Sequence, residues 1–308
     1  MAAKCSLVID EIEKVVKGKR NIVELVYAAI LAGGHILMDD IPGVGKTTLA
    51  VAFSKAMALE NHRVQFTPDV LPADILGFSM YQKETGQFVY YQGTIMCNLF
   101  LADEINRTSP KTQSALLEVM EEGTATVDGV TRKLPEPFIV IATENPYGSS
   151  GTQMLPESQL DRFMVCLSMG YPSHADAVQI LKGNAAKPLN NVQGIMNIDE
   201  LVELRRMSND LYVKDEIYEY IVNIVEATRK LDIFSMGASP RGTIALLRMA
   251  KAMAVVDGRD YVTALDVQSV VKDTLGHRVK LSARGKAQGL DMVHAMYNVL
   301  GQVTAPRI

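Results

Sequence analysis

Several short apolar runs along the chain end abruptly in polar or turn-forming residues, and these runs outline the fold. Ile36, Leu37 and Met38 predict the end of a buried strand. Pro42 and Gly43 then force a turn, and the small and apolar periodicity from Thr47 to Leu59 predicts a helix. A second strand is predicted over Leu99 to Ala102. A third runs from Phe138 to Pro146 and ends in polar Thr143, Glu144 and Asn145; a fourth lies in "RFMVCLSM". Between them, "SMYQKETGQFVYY" and "TATVDGVTRKL" have alternating halves around Thr85-Gly86 and Asp128-Gly129, which predicts two hairpins near residues 79–91 and 124–134.

Beyond "GYPSH" the period changes. Ile217, Ile221, Ile224, Val225 and Leu231 form a helical stripe. Ser239 is placed as the N-cap of another helix, with Pro240 in its first turn and Arg241 beside it. Ala287, Leu290, Val293, Tyr297 and Leu300 predict a final amphipathic helix, and the basic run from Arg278 to Lys286 reads as a solvated face. The expected architecture is therefore α/β: a parallel sheet flanked by helices over residues 1–172, followed by a smaller all-α domain over 173–308.

Composition narrows the class. The 308 residues are 48% hydrophobic and 21% charged, as in a soluble globular protein with a substantial core. The segment after Met1 breaks its apolar run at Asp10 and Glu11, unlike a signal peptide, and no stretch reaches the length of a membrane span, so a cytoplasmic location is expected. Cys5, Cys97 and Cys166 are odd in number and lack metal-ligand spacing, and the five histidines form no metal-binding set. A formal net charge of −4 argues against broad affinity for nucleic acid.

Candidate chemistry begins at "HILMDDIPGVGKTTLA". Strand, loop and helix occur in the order of a phosphate-binding loop. Backbone N–H groups from Gly43, Val44, Gly45, Lys46, Thr47 and Thr48 can converge on a phosphate at the helix N-terminus, and Gly43 and Gly45 permit close approach. Lys46 adds a charge for the β/γ-phosphates, and the Thr47 hydroxyl is a ligand for Mg²⁺. The usual pattern has glycine where this chain has Asp40. Aspartate tolerates left-handed backbone, so Asp40 is expected to make the turn with its carboxylate pointed away.

An ATPase also needs a metal-holding carboxylate and a base. "NLFLADEINR" supplies both at a strand end: Asp103 to hold Mg²⁺ through its water shell and Glu104 to orient and deprotonate the attacking water. The Asn145 amide can bond both the γ-phosphate and that water.

The ordered set "IPGVGKT", "FLADEINR", "PKTQSALLEVMEEG", "IATENP", "LPESQLDRF" and "GASPRG" resembles the MoxR family of AAA+ ATPases, in the helix-2-insert clade, over nearly the whole chain. The resemblance implies ATP and Mg²⁺ as cofactors and a C-terminal lid. Lys46 and Thr47 become Walker A residues, Asp103 and Glu104 Walker B, Asn145 sensor 1, Arg162 an arginine finger facing a neighbouring subunit, and Arg241 a sensor 2 placed to swing over the γ-phosphate as the lid closes. It also brings Val16 and Gly18 to the nucleotide, accounts for the acidic residue at position 40, and turns the hairpins toward a central pore. Glu144 stands where the family usually has Gln, and Thr94-Ile95-Met96 replaces Pro-Ile-Phe. The implied function is a homo-oligomeric ring, a hexamer, that remodels protein complexes during maturation or cofactor insertion. A von Willebrand factor A domain protein is the implied partner. A nucleotide-gated scaffold with little turnover and a DNA-associated motor are the alternatives.

Overall fold

In the computed structural model, which describes residues 2–145, 154–182 and 189–306, two helices, α1 (Ala2–Glu13) and α2 (Arg20–Leu31), precede the first apolar run. Strand β1 (Ile36–Asp39) leads into helix α3 (Lys46–Ala56), which stops short of Leu59 because Ala58 takes positive φ (50°). Strand β2 (Asn61–Gln65), the short helix α4 (Pro72–Leu76) and the hairpin of β3 (Gly77–Gln82) and β4 (Gln87–Gln92) follow. After strand β5 (Leu99–Asp103) come helix α5 (Pro110–Glu122), the hairpin of β6 (Thr124–Val127) and β7 (Val130–Lys133), and strand β8 (Ile139–Glu144). Pro146, placed at the end of that strand by its sequence, lies outside the described residues. A single turn α6 (Glu157–Leu160) and strand β9 (Val165–Leu167) complete this half.

The second half is helical: α7 (His174–Leu181), α8 (Ile198–Asn209), α9 (Asp215–Lys230), α10 (Pro240–Val256), α11 (Ala264–Leu275), α12 (Ala283–Ala287) and α13 (Met292–Gln302). One antiparallel ribbon joins β10 (Phe234–Met236) to β11 (Lys280–Leu281). No helix among the described residues is long and apolar enough to cross a membrane.

The five strands of the main sheet run parallel in the order β2-β5-β8-β1-β9. Strands β5 and β8 are buried along their whole length, as uninterrupted apolar runs require in a sheet covered on both faces. The register pairs Asp39 with Glu144 and Gln65 with Asp103, so every polar strand end falls on the carboxyl edge, where open α/β sheets bind ligands.

One face of the sheet packs on α4, α5 and the base of the β6–β7 hairpin; the other shares a continuous apolar core with α1, α2, α3 and the helices of the second half. Helix α2 touches both α8 and α10, and Arg205 on α8 donates to the Ile30 carbonyl at 2.8 Å.

Two readings of the C-terminal stretch need correction. The predicted stripe from Ala287 to Leu300 is interrupted, because Gly289 turns with positive φ (72°) and Asp291 caps a new helix, which resets the phase. Helix α13 accordingly buries Ala295, Met296 and Val299 and leaves Tyr297 67% exposed. Arg278 is no part of a solvated face, since only 2% of its side chain is exposed.

Candidate functional site

The turn after β1 does what its glycines allow. Gly45 has φ 101° and caps α3 with no side-chain acceptor, so the first N–H groups of the helix point into the turn, where an anion is favoured. Lys46 donates from Nζ to the carbonyls of Asp40 (2.6 Å) and Glu144 (3.3 Å), which holds it across the ends of β1 and β8. Burial pushes its ammonium below the usual range, while Asp40, Asp39, Asp103 and Glu104 oppose that shift.

Asp40 is not among the residues with positive φ, so the expected left-handed turn does not form. Its carboxylate does face away from the loop. One oxygen accepts from Ser168 Oγ (3.1 Å) and the Gly170 N–H (2.8 Å), the other from the Ile41 N–H (2.8 Å). Three donors satisfy the charge, and the carboxylate ties the loop to the exit of β9.

Across the loop, Thr47 Oγ1 lies 3.5 Å from Asp103 Oδ2, and Thr143 Oγ1 donates to Asp103 Oδ1 at 3.3 Å. The Glu104 N–H donates to Thr143 Oγ1 at 2.8 Å. Glu104 has φ 57°, a left-handed conformation that costs a non-glycine residue roughly 1–3 kcal/mol and recurs at functional sites. The strain turns its carboxylate out of the strand direction, where Arg107 Nη1 meets it at 2.6 Å. Asn106 Nδ2 donates to the Asn145 carbonyl at 3.2 Å, joining the two strand ends. A cavity of about 340 Å³ is lined by Pro42, Gly43, Gly45, Lys46, Thr47, Thr48, Asp103, Glu104, Thr143 and Asn145. The Thr47 hydroxyl and the Asp103 carboxylate offer hard oxygen donors side by side, as Mg²⁺ requires.

Two further residues line this cavity that the sequence reading passed over: Arg63 and Gln65, from edge strand β2. The clue was available in the period-2 alternation of Asn61, Arg63 and Gln65, a polar face exposed beside the phosphate-loop helix.

Glu144 faces away from the cavity. It is 2% exposed and accepts from the Leu155 N–H at 3.4 Å. Burial pushes its carboxyl up to about 7, helped by the neighbouring Asp39. Val16 and Gly18 do not line the cavity either. Val16 belongs to the apolar core, and Gly18 lies against Asp176, where a Cβ would meet Oδ2 at 2.4 Å. Ile95 and Met96, the departures near β5, are both buried.

Arg162 and Arg241 sit elsewhere, and together. Both pair with Glu121 at the end of α5: Arg162 Nε at 3.4 Å from Oε2, and Arg241 Nη2 in a close contact with Oε1. The pocket they line with Arg248 shares no residue with the phosphate cavity. Behind the two arginines, Asp161 accepts from Arg278 Nε (2.8 Å) and, on both oxygens, from Ser239 Oγ (3.2 and 3.0 Å). Arg278 also donates to the carbonyls of Met164 (3.1 Å), Phe163 and Thr274.

Comparison with known proteins agrees with this arrangement. Residues 35–165 match the model of the ATPase family associated with various cellular activities (AAA), and residues 226–293 match the AAA lid domain. The chain is 44% identical to the protein YeaC of Bacillus subtilis over 97% of this chain and 93% of that one. It is 35% identical to the chaperone MoxR1 of Mycobacterium tuberculosis, over 97% of this chain and 82% of that one. A crystal structure of a Cytophaga hutchinsonii protein superposes with a TM-score of 0.90 at 36% identity, covering 99% of this chain and 96% of that one. With the parallel sheet, the phosphate loop and the helical lid, these similarities establish that the chain belongs to the MoxR family of AAA+ ATPases.

Proposed function

We propose that this protein hydrolyses ATP with Mg²⁺ and works as a ring, a hexamer, that remodels other proteins. The β- and γ-phosphates rest on the N–H groups from Gly43 to Thr48, with Lys46 as the fixed positive charge. Thr47 and Asp103 would hold the metal, which would supply positive charge against the charge that develops on the transferring phosphoryl group. Glu104, aimed out of its strand by its left-handed backbone, takes the proton of the attacking water, and the Asn145 amide holds that water in line. Val16 and Gly18 contribute to the base end of the nucleotide site.

One observation carries the ring: Arg162 and Arg241 converge on a carboxylate in a pocket separate from the phosphate cavity. Two guanidiniums gathered on Glu121 form a ready receptor for an oxyanion, and the geometry favours a phosphate presented by a neighbouring copy. Each chain then accepts ATP at one place and completes its neighbour's site at another.

The reading of the client side rests on the β3–β4 hairpin, which exposes Phe78, Met80, Tyr81 and Phe88, and on the chaperone name of the Mycobacterium tuberculosis relative. We assign the hairpins to client contact, a von Willebrand factor A domain protein to the partner role, maturation or cofactor insertion to the process, and the cytoplasm to its location.

A mixing experiment tests the ring. Lys46→Ala is inactive in its own site yet still offers Arg162 and Arg241 to a neighbour, whereas Arg162→Ala binds ATP but lacks a finger. Combining the two inactive variants is expected to restore part of the ATPase activity. If mixed rings form and stay inactive, the arginines do not act between subunits.

A further inference from the structure

We propose that Arg63 is an additional phosphate-binding residue of the ATP site, one that joins the terminal phosphate of the nucleotide to the carboxylate of Asp103. The inference deepens the ATPase reading above and rests on it. Arg63 lies on β2, the edge strand whose neighbour is β5, and its Nε donates to Asp103 Oδ2 at 2.6 Å. That is the same oxygen that Thr47 Oγ1 approaches at 3.5 Å. The Asn61, Arg63 and Gln65 side chains share one face of the strand. This face is turned toward the phosphate-loop helix, since Asn61 Nδ2 donates to Ser54 Oγ on α3 at 2.9 Å, and both Arg63 and Gln65 line the phosphate cavity.

Charge and geometry decide what the guanidinium does there. An ordinary exposed ion pair contributes little to stability, about 0–1 kcal/mol, and nothing in the fold requires an arginine at a position whose side chain is 52% exposed. A guanidinium, however, carries five N–H donors in a rigid fork, and only the Nε–H is directed at Asp103. Among the described residues the terminal nitrogens make no hydrogen bond. They belong to a side chain that lines a cavity built for polyphosphate. Lys46 is held by the carbonyls of Asp40 and Glu144 at the ends of β1 and β8. A planar fork suits bidentate recognition of phosphate in a way that an ammonium does not. Arg63 therefore serves two groups at once, holding the orientation of Asp103 and presenting its remaining donors to phosphate oxygens on the metal side of the site. Glu104 has its own partner in Arg107 and does not compete for it.

The test is binding of ATP and ADP, each with Mg²⁺ and with EDTA, measured by calorimetry on wild type and on Arg63→Ala, Arg63→Lys and Lys46→Ala. Thermal melting confirms that the Arg63 variants are folded. Arg63→Ala is expected to weaken ATP by tenfold or more in Mg²⁺ while ADP changes less than threefold, and Arg63→Lys is expected to recover only part of the ATP loss. The proposal is overturned if Arg63→Ala leaves the ratio of ATP to ADP affinity at its wild-type value, or if it tightens Mg²⁺-dependent binding, which would make Arg63 a competitor of the metal. If Lys46→Ala binds ATP as tightly as the wild type, the assignment of the nucleotide site itself fails, a result distinct from either outcome for Arg63.

Discussion

Arg278 reaches from the turn after α11 to place its Nε 2.8 Å from the Asp161 carboxylate, the residue immediately before Arg162. The guanidinium is buried, and the same Asp161 carboxylate accepts from Ser239, which caps the helix that bears Arg241. The lid thus grips the base of both arginines through one side chain.

Removing the guanidinium leaves the Asp161 carboxylate, 22% exposed, with only the Ser239 hydroxyl as its side-chain donor, and the lost charge-assisted bond costs about 1–3 kcal/mol. Arg278→Ala is expected to lower the unfolding free energy by that order in denaturant titration. Asp161→Asn, which keeps a polar side chain, is expected to bind ATP normally and hydrolyse it at least tenfold more slowly. An unchanged rate in Asp161→Asn would detach the pair from the placement of the arginines.

Lys46 and Glu104 separate binding from chemistry. Lys46→Ala is expected to abolish ATP binding, and Glu104→Gln to retain ATP while losing hydrolysis. Equal ATP affinity in Lys46→Ala and wild type would remove the phosphate loop from the mechanism.

The buried Glu144 makes stability depend on pH. In the folded chain its carboxyl titrates at about 7, against an ordinary value of 4.5, so between these values only the folded state holds the proton. Its stabilising contribution is complete below the lower value and is lost as pH rises through 7. His35 and His277, pulled down to about 4 and about 3 by burial, act in the opposite sense, gaining stability as pH rises toward 6.5. The difference between Glu144→Gln and wild type cancels the histidines. The melting temperature of Glu144→Gln minus that of wild type should grow from pH 4.5 to 7 and then level off. A flat difference would show that Glu144 is ionised in the fold. ATP affinity should change less than threefold, because the carboxylate faces Leu155 and not the cavity.

Asp40 is expected to matter for stability and not for phosphate. Restoring the usual loop residue with Asp40→Gly removes an acceptor of three hydrogen bonds, and buried donors left without partners cost about 1–3 kcal/mol. Tighter ATP binding in Asp40→Gly, with unchanged stability, would show that its charge reaches the phosphates.

Much of this was legible in the sequence because the strands are uninterrupted apolar runs with polar ends. Those ends had to meet at one edge once the sheet was parallel, which brought Lys46, Thr47, Asp103, Glu104 and Asn145 together. Arg63 escaped notice because an arginine in an alternating edge strand looks like any solvated residue. Arg278 was misread because neighbouring basic residues suggested a common surface, whereas its guanidinium is taken up by the distant Asp161 carboxylate and the carbonyls of Phe163 and Met164. The position of Arg241 depends on how the helical lid sits against α5, which no local pattern encodes.

The contact of α2 with α8 and α10 joins the opening helices to the helical half across the whole nucleotide sheet. Composition changes near Pro172, but the apolar core does not stop there: Val23, Val26 and Ile30 share it with Leu204, Leu246 and Met249. The chain resembles a belt whose opening helices are buckled to its helical half, with the nucleotide sheet held in the loop. Cutting it at the change of composition would strip the buckle and leave each fragment with a raw oily face, so neither half can be treated as a spare part.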